Sequence, residues 1–115
     1  MIALTCPGQG AQTPGFLSPW LELDSFKTKI EQYSEILEMD LVHFGTSADA
    51  DQIKDTRVAQ PLIVAASMAS HAVLIQALQD KSKIAGVTGH SVGEIAAVNI
   101  AGVLDTEAAL RFVKA

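Results

Sequence analysis

Cysteine is almost absent from this sequence: Cys6 stands alone among 115 residues. No internal disulfide is available, which fits a reducing, cytoplasmic setting and sets aside the disulfide-stapled secreted scaffolds. Basic charge is scarce too. Eight Lys and Arg face thirteen Asp and Glu, a formal net charge of -5, and no segment is strongly basic. Nucleic acid is therefore not an expected partner, because a phosphate backbone calls for a basic stripe. Met1 to Gln12 has no basic residue ahead of an apolar run and reaches Pro7-Gly8 at once, so it does not read as a signal peptide. The longest apolar stretch, Leu62 to Leu78, is interrupted by Ser67, Ser70, His71 and Gln76. It is short for a bilayer span and reads as a buried helix, so no membrane is expected. The three histidines and the cysteine show no metal-ligand spacing, and no metal is expected.

What is present is a packing sequence. Hydrophobic residues make up 49% of the chain, enough for one core and too short for two domains. Ile2 to Cys6 is a β-prone run stopped by Pro7-Gly8. Asp24 is placed to cap a helix to about Leu37, with Phe26, Ile30, Tyr33 and Leu37 on one face. Asp40 to Gly45 and Asp49 to Asp55 read as short helical pieces, the aspartates as a solvated face. Pro61 sits where a long helix to about Leu78 would make its first turn, apolar nearly all round and so deeply packed. Ser82 and Lys83 mark a turn, and Ile84 to Thr88 is a second strand. A small-residue helix then runs through Ala101 to Gly102, and Asp105 or Thr106 caps a last helix still running at Ala115. Two parallel strands make a poor sheet without neighbours, so residues 1–115 are expected to be one incomplete α/β domain.

The chemistry sits in Gly89-His90-Ser91-Val92-Gly93, a G-x-S-x-G between a strand and a helix. A nucleophile elbow needs this composition for steric reasons. The serine backbone is strained, and its flanks pass too close to strand and helix for a Cβ. The hydroxyl is then held open at a helix N-terminus, where free N–H groups favour developing negative charge. Val92 N–H is the natural first donor to an oxyanion. An ordinary glycine-rich turn has the same composition, and a phosphate-binding turn is disfavoured because no G-K-[ST] follows. A second loop, Pro7-Gly8-Gln9-Gly10-Ala11-Gln12, follows the first strand. If the strands are parallel neighbours, both loops emerge at one sheet edge, and Gln9 N–H is a candidate second donor.

Together, Pro7 to Gln12 and Gly89-His90-Ser91-Val92-Gly93-Glu94 resemble the malonyl-CoA:acyl-carrier-protein transacylase family and the acyltransferase domains of polyketide and fatty-acid synthases. Gln60-Pro61 and Ala101 to Asp105 are similar as well, and the resemblance runs from residue 1 to 115. It implies the N-terminal part of an α/β-hydrolase-like acyltransferase core, with parallel strands, flanking helices and a ferredoxin-like subdomain absent from this stretch. It implies Ser91 as the acyl-carrying nucleophile, His90 as its supporting neighbour, Gln9 and Val92 as oxyanion N–H donors and Gln60 in the pocket. Glu94 would help structure the elbow. It further implies malonyl-CoA as substrate, acyl carrier protein as partner, no cofactor, and a histidine base and a carboxylate-binding arginine beyond residue 115. Residues 1–115 alone are then expected to turn over little. A polyketide acyltransferase domain, a thioesterase or esterase sharing the elbow, and a non-catalytic truncated product are the alternatives.

Overall fold

The computed structural model describes residues 2–78 and 83–114. In chain order these form β1 (Ile2–Cys6), a 3-10 turn (Trp20–Glu22), α1 (Asp24–Leu37), α2 (Leu41–Thr46), α3 (Ala50–Lys54), α4 (Thr56–Leu78), β2 (Ile84–Gly89), α5 (Gly93–Ile100) and α6 (Thr106–Lys114). The expected turn residue Ser82 and the chain end Ala115 lie outside the described residues. Among the described residues there is one sheet, of two strands. β1 and β2 run parallel, with Leu4 opposite Val87 and Cys6 opposite Gly89. The strand ends are level, and His90 N–H extends the ladder by donating to the Cys6 carbonyl at 3.0 Å. That alignment positions both loops at the same carboxyl edge, as the parallel reading requires.

The helices build the core. Phe26, Ile30, Tyr33 and Leu37 recur at helical spacing on α1, and all four are buried. They meet α4, which also packs against α5 and α6. Each such large side chain contributes roughly 1.5–3 kcal/mol when taken out of water. The α6 residues Leu110 and Val113 complete the layer. Trp20, itself exposed, lies against Phe26 with ring centroids 5.2 Å apart.

Several local expectations are corrected. Asp24 is the first residue of α1 rather than its cap: Leu23 takes the cap position, and no side chain caps it. The long helix starts at Thr56, not at Pro61. Asp55 nucleates it, its carboxylate accepting Arg57 N–H at 2.9 Å and its carbonyl accepting Ala59 N–H at 2.7 Å. Pro61 therefore stands inside α4. Its missing N–H leaves only the carbonyl of Arg57, a residue at the exposed start of the helix, without its helical partner.

Deep burial of α4 holds from Ala59 to Ala69, whereas residues 70–78 are half-buried or exposed. A 23-residue helix is about 34 Å long and α1, with 14 residues, about 21 Å, so α4 outruns its neighbour. By length and hydropathy α4 could cross a bilayer; in this fold it is the central packing helix. Asp49 and Asp55 are not merely a solvated face. Asp49 caps α3 in a reciprocal box with Gln52, with bonds of 2.9 and 3.0 Å.

Candidate active site

Ser91 is exposed and sits between β2 and α5 with φ +55. Among the described residues only Ser91 and Glu38 are non-glycine residues in the left-handed region. Glu38 ends α1, where such a conformation is a common helix stop. Ser91 has no such excuse. A strained serine at the mouth of a turn is the backbone signature of an elbow.

The glycines around it are fixed by contact. A Cβ on Gly89 would run into the Gly93 carbonyl, and one on Gly93 would meet the Cys6 carbonyl and lie 2.6 Å from that of Pro7. Gly8, from the other loop, is pressed on the same turn: its Cβ would be 2.6 Å from the His90 carbonyl and 3.1 Å from the His90 ring. The two loops are thus packed backbone to backbone. Sequence reasoning reached Gly89 and Gly93 through the motif. That Gly8 belongs to the same contact is visible only in the fold.

Among the described residues the hydrogen bonds of the elbow leave the N–H groups of Ser91 and Val92 over. Gly93, Glu94 and Ile95 N–H groups donate to the carbonyls of His90, Ser91 and Val92 at 3.0–3.1 Å. Among the described residues no acceptor meets the Val92 N–H, although the Val92 side chain is buried in the core. Gln9 N–H is equally without an acceptor there. It occupies the second position of a turn closed by Ala11 N–H donating to the Gly8 carbonyl at 3.3 Å, a position whose N–H the turn does not use. The Gln9 side chain points elsewhere, donating to Thr56 Oγ1 at 3.1 Å.

An open cleft of about 530 Å³ lies at the strand ends, lined by Thr5, Cys6, Pro7, Thr88, Gly89 and His90. A more enclosed, largely apolar groove of about 400 Å³ runs beside it between β1 and α4. Neither is lined by Gln60, which is half-buried on α4 and whose side chain has no hydrogen-bond partner among the described residues. Glu94 is exposed, and its side chain likewise has none. The structure therefore sets the loop of Gly8 and Gln9 against the turn of His90, Ser91 and Val92 through the contact of Gly8 with His90, and shows no such link for Gln60 among the described residues. Cys6 supports the elbow as a buried core residue, and burial pushes its thiol pKa up, away from nucleophilic use. His43 rests edge-on against Phe44, and His71 is half-buried beside the apolar groove.

Two polar residues to which the sequence reading gives no role hold the loop after β1 in place. Gln12 donates to the Ile53 carbonyl at 3.0 Å, and Thr56 receives the Gln9 side chain. Gln12 was visible as part of the loop motif. Nothing in the sequence connects Thr56 with residue 9.

Residues 4–115 match the family model described as the acyl transferase domain. The malonyl CoA-acyl carrier protein transacylase of Mycobacterium tuberculosis is 49% identical over 110 residues, covering 96% of this chain and 36% of the relative. That of Escherichia coli K12 is 34% identical over 116 residues, covering 98% and 36%. A crystal structure of MCAT from Mycobacterium tuberculosis superposes with a TM-score of 0.90 at 46% identity, over 99% of this chain and 38% of that one. A type II polyketide-synthase acyl-carrier protein in complex with its malonyl-transacylase gives a TM-score of 0.87 at 31% identity, over 97% and 36%. The chain spans little more than a third of the length of these relatives. With the family model matched along nearly all of it, the chain belongs to the acyl transferase domain family.

Proposed function

We propose that this chain carries the nucleophile of a malonyl-CoA:acyl-carrier-protein transacylase, as the elbow-bearing part of a larger acyltransferase core. The observation that carries the reading is the strained, exposed Ser91, followed directly by a Val92 N–H with no acceptor among the described residues. Ser91 Oγ attacks the thioester carbonyl of malonyl-CoA and gives its proton to the histidine base that the family resemblance implies further along. The carbonyl oxygen gathers negative charge between the N–H groups of Val92 and Gln9. Donors of this kind are worth about 2.7–4 kcal/mol of barrier each. The C–S bond breaks, the CoA thiolate takes up the proton, and the malonyl group stays on Ser91 as an ester. A phosphopantetheine thiol of the carrier protein then attacks that ester, the acyl C–O bond to Ser91 breaks, and the thiol's proton passes through the base to Ser91 Oγ. A thioester is already activated, so the chemistry calls for no metal or prosthetic group. His90 packs on Gly8 and keeps the loops together, the pocket role that the family resemblance implies for Gln60 has no support in the lining of either cavity, and the reaction belongs to cytoplasmic fatty-acid synthesis.

The test is intact mass before and after malonyl-CoA, on the full-length protein and its Ser91→Ala variant. One malonyl group should add to the wild type and none to the variant. An adduct that persists in Ser91→Ala, or release of malonate to water in preference to a carrier thiol, overturns the reading in favour of another nucleophile or a thioesterase.

A further inference from the structure

The geometry points to Gln12 as a positioning residue that fixes the Gln9 backbone, by bridging the loop after β1 to the corner between α3 and α4. This rests on the reading of Gln9 N–H as an oxyanion donor. The direction of that N–H is set by the backbone on either side of it, and both neighbours of Gln9 are glycines, the least constrained residues. Gly8 is held by its contact with His90. Gly10 is not held by packing at all: its φ is +113 and no atom lies within 4 Å of where a Cβ would stand.

What restrains Gly10 is a side chain. Its N–H donates to Gln12 Oε1 at 2.8 Å. The same amide donates through Nε2 to the Ile53 carbonyl at 3.0 Å. Ile53 is 2% exposed and part of the core, so its carbonyl is a fixed post. Gln12 itself is half-buried, and the Gln9 side chain reaches the same corner at Thr56. The bridge needs one acceptor and one donor on a single planar head. An amide has both; a carboxylate keeps the acceptor and sets a negative oxygen against the Ile53 carbonyl. An oxyanion contact strengthens as charge develops, so a loosened Gln9 should slow the chemical step while leaving binding of malonyl-CoA alone.

The experiment compares Gln12→Met, Gln12→Glu and Thr56→Val in the full-length protein. Met keeps the bulk of Gln12 without its hydrogen bonds, and Thr56 is exposed, so its loss spares the core. Malonylation of Ser91 is followed by mass under single-turnover conditions, KM for malonyl-CoA is measured, and hydrogen exchange is read at Gly10. Both Gln12 variants should lose roughly ten- to a hundredfold in acylation rate, with KM within about twofold of wild type. Gly10 should exchange faster in both, since each loses a bond that the bridge requires. Thr56→Val should move the rate the same way by less, and it decides the matter if the Gln12 variants do not fold. Wild-type rates in Gln12→Met, or unchanged exchange at Gly10, overturn the inference while wild-type labelling at Ser91 leaves the functional reading standing. No labelling of the wild type fells that reading first, and this inference with it.

Discussion

Gly93→Ala separates a glycine required by contact from one required by backbone conformation. The added Cβ would meet the Cys6 carbonyl and stand 2.6 Å from the Pro7 carbonyl, whereas ordinary contact begins near 3.4 Å. Both obstacles are main-chain atoms at the end of β1. The Cys6 carbonyl is also pinned by His90 N–H, so neither can turn aside as a flexible side chain would. The start of α5 must therefore move off β1 by about 1 Å. Ala96 and Ala97, buried on the same helix, would be dragged with it. Forced overpacking of this kind costs about 1–3 kcal/mol, and the absence of any soft neighbour places Gly93→Ala at the upper end.

The same shift moves Ser91 and Val92 relative to Gln9, and a displacement near 1 Å at a reacting centre costs about a hundredfold in rate. Gly102→Ala is the control. Gly102 follows α5 with φ +84 and has open space around it. Its substitution carries only the left-handed backbone penalty of about 1–2 kcal/mol and should leave malonylation of Ser91 untouched. Urea unfolding and single-turnover labelling of both variants give the answer. A Gly93→Ala protein within about 0.5 kcal/mol of wild type, or one that labels at the wild-type rate, refutes the contact argument.

Asp49→Ala removes one half of the reciprocal cap on α3. It should cost about 1 kcal/mol in urea unfolding and speed exchange of the Gln52 N–H that Asp49 accepts; unchanged exchange there would count against the cap. Asp55 gives a pH signature. The Arg57 side chain and then the Arg57 N–H hydrogen-bond its carboxylate and hold its pKa below the ordinary aspartate value. The folded state thus binds that proton less readily than the unfolded chain. The stability Asp55 adds is complete above the unfolded pKa and is lost as pH falls through the lower folded value. The urea-midpoint advantage of wild type over Asp55→Asn should therefore shrink between pH 7 and pH 3, and an advantage that stays constant or grows on acidification rules the account out.

The elbow was readable in the sequence because its cause is local. A strand, two glycines around a serine and a small-residue helix can be joined in few ways, and the clash that excludes a Cβ at Gly89 arises within five residues of it. The amphipathic face of α1 was readable for the same reason: its period is a property of the helix itself. The start of α4 was misread because Pro61 is a strong first-turn signal, while the true start rests on Asp55, whose role as a cap depends on where the chain turns after α3. The length over which α4 is buried could not be read at all, since it depends on how far α1 extends beside it.

The sequence by itself determined the chemistry on offer: a serine in a strained turn, a second glycine-rich loop, and a family in which the two occur together. Only the tertiary structure decided that these loops touch and how one is braced. The contact of Gly8 with His90 and the bridge from Gln12 to Ile53 join residues 82 and 41 positions apart. No local propensity spans such distances. They exist because parallel pairing of β1 with β2 levels the strand ends, and because the buried side chain of Ile53 fixes the corner to which the loop is tied.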